Sequence, residues 1–351
     1  MQHTRFSRKA ISKSIVAIMV IVLIIVGASA EYLLTMRSSS GSPLIIYSAD
    51  AYVSEVTALS ESFSNQTGIQ TSPPKAGGSF ALAQQIAQGN PVSVFVSVAK
   101  SAVSSSYLKN TSSGWAIAFA GDQMTIAYSN ASAQTPAVEK LVGAFQSATS
   151  TNITSAWFDF YSNLTSGAVK VGISNPSADP AGFRAWLVLE AAGKVYAGNE
   201  SYFVSRMVAN SGNITGASAA DLVAPLESGQ IQFLFIYKSA AIAHKLNYLQ
   251  LPSAVNFGNA AYASFYSQFT YTISTGVQSG SPILLFVTVP SDATNPSGSL
   301  EFVSYIVQHS SFLQSFGLTS LSPSVLYNDT AVPPAIQKLV TQGDVVLGGS
   351  L

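Results

Sequence analysis

Short, nearly unbroken apolar runs alternate with stretches in which apolar residues recur every three or four positions, from Pro43 to the end of the chain. The runs predict buried strands at 44–49, 92–98, 169–174, 231–237 and 282–290. A longer run at 115–130 has the length to leave one sheet and enter a second. Between the runs, Tyr52, Val56, Leu59 and Phe63 share one helical face, which a stop near Gly68 closes. The last helices are expected at 299–316 and 333–340. Strands alternating with amphipathic helices predict an α/β class, and 351 residues suffice for two lobes with separate cores.

Three loops rich in small residues each precede a helix: SADAY at 48–52, KAGGSFA at 75–81 and SADPAGF at 177–183. A helix start exposes unpaired N–H groups and a partial positive charge, and small side chains let an anion approach them. The simpler reading is that Asp50, Ser79 and Asp179 only cap their helices. Periodicity does not say whether the three loops converge.

Composition narrows the function. Formal net charge is zero and only 9% of residues are charged, against roughly 25% in an average soluble chain. No basic stripe is present for nucleic acid. A surface of Ser, Thr, Asn, Gln and Tyr suits either acid exposure, where carboxylates lose charge, or a glycan coat. Eight N-x-S/T triplets, headed by Asn65, Asn110, Asn130, Asn152, Asn163, Asn199, Asn213 and Asn328, are compatible with a glycoprotein. Without cysteine there is no disulfide, thiol nucleophile or thiolate metal site. His3, His244 and His309 lack metal-ligand spacing, and no nucleophile elbow, Walker loop or dinucleotide fingerprint occurs. Neither an enzyme nor a cofactor is therefore expected. At the N-terminus, Arg5, Arg8, Lys9 and Lys13 precede an apolar run from Ile15 to Val26 and then Gly-Ala-Ser-Ala. That segment is an export signal or a retained anchor, and either leaves the rest of the chain on the extracellular side.

The stretches AGGS (76–79), SNPSADPAGFRA (174–185), LESGQIQFLFIYKSAAIAHKLNYLQLP (226–252) and PSVLYNDTAVPPAIQKLV (323–340) resemble those of archaeal molybdate/tungstate-binding proteins, the solute receptors of ABC transporters. The resemblance implies a periplasmic-binding-protein fold of type II, with two lobes closing over one oxyanion and no chemistry performed on it. It divides the chain into a signal or anchor and linker (1–42), a first lobe (43–122 with 282–351) and a second lobe (123–281). It implies that the Ser79 hydroxyl and amide hold the anion, that Asp179 approaches its metal centre, and that Pro180 and Ala181 line the pocket, with the Ala181 amide as donor. It implies further that the Tyr237 hydroxyl reaches the anion, that a membrane permease is the partner, and that the receptor is a monomer.

The chain also departs from the family. Asp50 and Ala51 stand where members tend to have Gly-Ser, Ala99 replaces an Asp after the third strand, and Ala219 stands where a second carboxylate, a glutamate, is expected. Asp50 is thus the candidate to replace that second carboxylate from the opposite lobe. The other reading is a divergent surface or binding protein of the same fold, taking another anion or an organic solute.

Overall fold

The computed structural model describes residues 42–351, so the N-terminal export or anchor segment lies outside the described residues. Nearly every strand-forming run becomes a strand. The first sheet contains β1 (Ile46–Ala49), β2 (Lys75–Gly77), β3 (Val94–Ser97) and β4 (Trp115–Asp122). The second contains β5 (Met124–Tyr128), β6 (Val171–Gly172), β7 (Asn213–Ile214), β8 (Phe233–Tyr237) and β9 (Asn247–Gln250). A hairpin follows, β10 (Thr270–Ile273) and β11 (Gly276–Ser279), and the chain then returns to the first sheet as β12 (Ile283–Thr288), β13 (Thr319–Asn328) and β14 (Val345–Gly349). Strand order is β14-β13-β4-β12-β3-β1-β2 in the first sheet and β7-β6-β8-β5-β9 in the second.

The parallel groups position the site. β1 pairs in parallel with β2 and β3, so their carboxyl ends share one edge. β6 pairs in parallel with β7 and β8, which gives the second sheet a similar edge. In open α/β sheets such edges are where ligands bind, because helix starts and loops converge there. β1, β3 and β4 are buried along their whole length, as strands covered on both faces must be.

One residue, Gln123, separates β4 from β5, so the run at 115–130 does pass from one sheet to the other. The helix Val53–Thr67 buries Val56, Leu59 and Phe63, and Gly68 ends it in the left-handed conformation at φ 77°. Two expectations change. The strand expected at 169–174 shrinks to Val171–Gly172, because its neighbour β7 offers only two residues to pair. The helix expected at 299–316 starts earlier, at Pro296, where the Asn295 side chain accepts from the Gly298 amide, and it ends at Gln308. A 3₁₀ segment, Ser310–Phe316, follows.

Ahead of the hairpin, aromatic side chains pack on one another: Phe257 lies 4.5 Å from Tyr266, and Phe265 lies 5.1 Å from Phe269. The β10–β11 hairpin reaches both lobes. The Ser274 amide donates to the Ser177 hydroxyl, and the Ser101 hydroxyl donates to the Gln278 side chain. Among the described residues no helix is long and apolar enough to cross a membrane.

Glycine has opposite value at two helical positions. At Gly182 a Cβ would lie 2.2 Å from the Ser174 carbonyl oxygen and 2.8 Å from the Pro176 nitrogen, so the helix start is pressed against the loop before it. At exposed Gly143, inside the helix Pro136–Thr151, a Cβ would meet nothing within 4 Å. Gly182→Ala is expected to destabilise the fold by roughly 3 kcal/mol, whereas Gly143→Ala stabilises it by about 0.5–1 kcal/mol. Urea unfolding of the two variants beside the parent checks both signs.

Candidate functional site

The site grows from the carboxyl ends of β1, β2, β3, β6 and β8. After β1 the chain enters a 3₁₀ turn, Asp50–Tyr52. Asp50 Oδ1 accepts from the Ala51 amide at 2.8 Å, while its Oδ2 is buried with no partner. Asp50 thus holds no helix start in the way a cap does.

After β2, Gly78 precedes the helix Ser79–Ala87 and supplies no side-chain cap. Its backbone abuts the second lobe, since a Cβ on Gly78 would lie 2.4 Å from the Ala178 carbonyl oxygen. The Ala81 amide donates to that same carbonyl at 3.3 Å. Ser79 is fully buried, and its hydroxyl accepts from the Val98 amide at 3.2 Å. A hydroxyl that accepts there keeps its own proton for another acceptor.

Asp179 caps the helix Pro180–Ala192, with Pro180 at the first helical position, where its missing N–H leaves nothing unsatisfied. Asp179 Oδ1 accepts from the Ala181 amide at 3.0 Å, and Oδ2 accepts from the Ala219 amide at 2.9 Å. The Ala181 amide therefore serves its own cap. Ala219, the position of the absent glutamate, is bonded directly to Asp179. Burial, and then the charge of Asp50, push the Asp179 carboxyl up to about 7 against the two amide bonds. Carboxyls from opposite lobes thus feel each other across the cleft.

Tyr237 ends β8 and is fully buried. Its hydroxyl accepts from Arg184 Nη1 at 2.6 Å, while Arg184 Nη2 donates to the Val98 carbonyl at 2.8 Å. Burial raises the Tyr237 phenol further above its ordinary range, so it keeps its proton at any physiological pH. The Tyr237 ring stacks on Tyr52 at 5.7 Å. The Tyr52 hydroxyl donates to Asp122 Oδ2 at 3.2 Å, and the Ser239 hydroxyl donates to the same oxygen at 2.5 Å.

The residues singled out in the sequence therefore fall into two linked groups. Ser79 and Tyr237 are connected through Val98 and Arg184, while Asp50, with Ala51 beside it, lies near enough to Asp179, at the head of the helix that Pro180 and Ala181 begin, for its charge to act on that carboxyl. Three groups escaped the sequence reading: Arg184, Asp122 and Glu55. Arg184 left a signal, as the one cation in a helix with almost no exposed face. Glu55 is 1% exposed, and neither of its oxygens has a partner. His309 stacks on Tyr305, and among the described residues no group of three or more His, Cys, Asp or Glu is gathered.

These buried acids set a pH dependence. Burial raises Glu55 to about 7 and Asp122 to about 6, the latter against hydrogen bonds from Ser239, Gln123 and Tyr52. With Asp179 they form three carboxyls whose folded-state values lie above the ordinary range near 4. The folded chain then holds protons that the unfolded chain has released, so the stability they contribute is complete below about pH 4 and is lost as pH rises through 6 to 7. Thermal melting is expected to fall between pH 5 and pH 8. Glu55→Gln is expected to flatten that fall and to stabilise the protein at pH 8 by on the order of 2 kcal/mol; an unaltered profile would refute the assignment.

Comparison with known proteins places this geometry. A sequence model described as a bacterial extracellular solute-binding protein matches residues 44–319. An uncharacterized solute-binding protein of Sulfurisphaera tokodaii is 40% identical over 321 residues, covering 89% of this chain and 84% of its own length. Another, from Saccharolobus solfataricus, is 38% identical over 325 residues, covering 90% and 79%. Among solved structures, the periplasmic molybdate-binding protein of Azotobacter vinelandii superposes with a TM-score of 0.56 at 16% identity, covering 79% of this chain and 98% of its own. The sulfate-binding protein SubI of Mycobacterium tuberculosis gives 0.53 at 13%, covering 88% and 94%. At such identities the structures speak for the fold alone, that of type II periplasmic binding proteins. The family match and the relatives together make this chain a member of the bacterial extracellular solute-binding proteins.

Proposed function

We propose that this protein is the extracellular receptor of an ABC importer, closing its two lobes over a tetrahedral oxyanion, tungstate or molybdate, and presenting it to a permease in the membrane. One observation carries the reading. Two buried carboxyls, Asp50 and Asp179, approach from opposite lobes in a cleft whose hydroxyls are free to donate. The Ser79 and Tyr237 hydroxyls each accept from an N–H group, so each keeps a proton for an anion's oxygen. Ala51, Pro180 and Ala181 add little side-chain bulk around the same position.

A carboxylate opposes sulfate or phosphate, whose closed tetrahedra repel it and offer no further bonding position. The hexavalent metal of tungstate or molybdate accepts additional oxygen ligands, which converts the same carboxylate into a contact. Asp179 would approach that metal centre, and the unpartnered Oδ2 of Asp50 supports a second approach in place of the glutamate missing at Ala219. Discrimination would then come from repulsion of the wrong anion as well as attraction of the right one. Export by the N-terminal segment, attachment to the outer face of the membrane and a monomeric state complete the proposal.

Calorimetric titration of residues 42–351 with tungstate, molybdate, sulfate and phosphate, at neutral and acidic pH, tests it. Tungstate or molybdate is expected to bind and sulfate is not. Asp50→Asn is expected to weaken binding at least about tenfold, or ~1.4 kcal/mol. Silence toward all four anions at both pH values would remove the oxyanion reading and leave another solute for the same cleft.

A further inference from the structure

Arg184 is a buried guanidinium, 4% exposed, on the helix that Asp179 caps. Both of its hydrogen-bond partners named above are neutral: the Tyr237 hydroxyl of its own lobe and the Val98 carbonyl of the other. The nearby carboxyls are occupied elsewhere. Asp179 accepts from the Ala181 and Ala219 amides. Asp122 accepts from Tyr52, Ser239 and the Gln123 amide. A buried cation resting on neutral acceptors is costly unless charge of opposite sign arrives.

We infer that Arg184 is the positioning residue of the cleft: it latches the closed lobes through Val98 and orients the Tyr237 hydroxyl as a donor to the solute. The inference rests on the proposed reading of the cleft as the solute site. A guanidinium has only donors, held in a planar fork. Tyr237 must therefore accept from Arg184, and its own proton is left to face an acceptor. Val98 extends the link, because its carbonyl takes the Arg184 bond while its amide donates to Ser79. One side chain thus couples the hydroxyl expected to hold the solute from the second lobe to the hydroxyl expected to hold it from the first. A solute presenting only acceptors, as an oxyanion does, satisfies both hydroxyls; an ammonium would find their protons turned against it.

The structure contains its own reporter of closure. Ala81 lies in the first turn of its helix, where an amide has no acceptor within the helix, and its partner is the Ala178 carbonyl across the cleft. Exchange of the Ala81 amide therefore reads whether the lobes are shut. In the purified protein, Arg184→Gln is expected to speed tungstate dissociation on the order of tenfold to a hundredfold and to accelerate Ala81 exchange without solute, with thermal melting showing the variant folded. Tyr237→Phe is expected to weaken tungstate binding less in the Arg184→Gln background than in the parent, because the hydroxyl is no longer oriented.

Should Arg184→Gln not fold, Arg184→Lys keeps the cation, but a single ammonium cannot reproduce the fork, and the same two measurements apply. Dissociation and Ala81 exchange both within twofold of the parent would overturn the inference. If the parent binds no oxyanion, the proposed function fails, yet Ala81 exchange still decides the latch, and unchanged exchange in the variant rejects it.

Discussion

Two sheets that meet at the carboxyl ends of their parallel strands must bury whatever stands there, and in this protein much of it is acid. Asp50, Glu55, Asp122 and Asp179 all lie at that meeting, beside one buried guanidinium. A carboxylate taken out of water needs donors, a counter-charge or a proton. Asp179 has two amides, Asp122 two hydroxyls and an amide, Asp50 one amide, and Glu55 no partner for either side-chain oxygen. Asp122 ties hydroxyls of both lobes together and Asp179 is oriented by two backbone amides, whereas Asp50 keeps one oxygen without a partner.

The low charge of the chain acquires meaning in that light. Four of its 16 acidic residues are buried at the junction, so acid is concentrated inside while hydroxyls and amides cover much of the outside. Such a surface loses little when pH falls, because few of its polar groups change charge. The junction responds in the opposite sense, since acid supplies the protons that its carboxyls lack.

Most of the fold was legible because it depends on local periodicity. The Tyr52, Val56, Leu59 and Phe63 face and the long run through β4 and β5 announce themselves in any window of a dozen residues. β6 is shorter than its apolar run because its length is set by pairing with β7 (Asn213–Ile214), far along the chain, and no local pattern carries that information. The convergence of the Asp50, Ser79 and Asp179 loops was equally invisible as geometry, and only resemblance joined them. Arg184 shows the limit most clearly. In sequence it is one cation in an apolar helix; its meaning comes from Tyr237 and Val98, which no spacing rule connects to it.

The single residue between β4 and β5 has a mechanical consequence. The chain crosses between the sheets at Gln123 and again between β11 and β12, and two short crossings favour rotation of one lobe against the other over sliding. A rotation at these crossings changes the angle between the two sheets and, with it, the gap between Asp50 and Asp179.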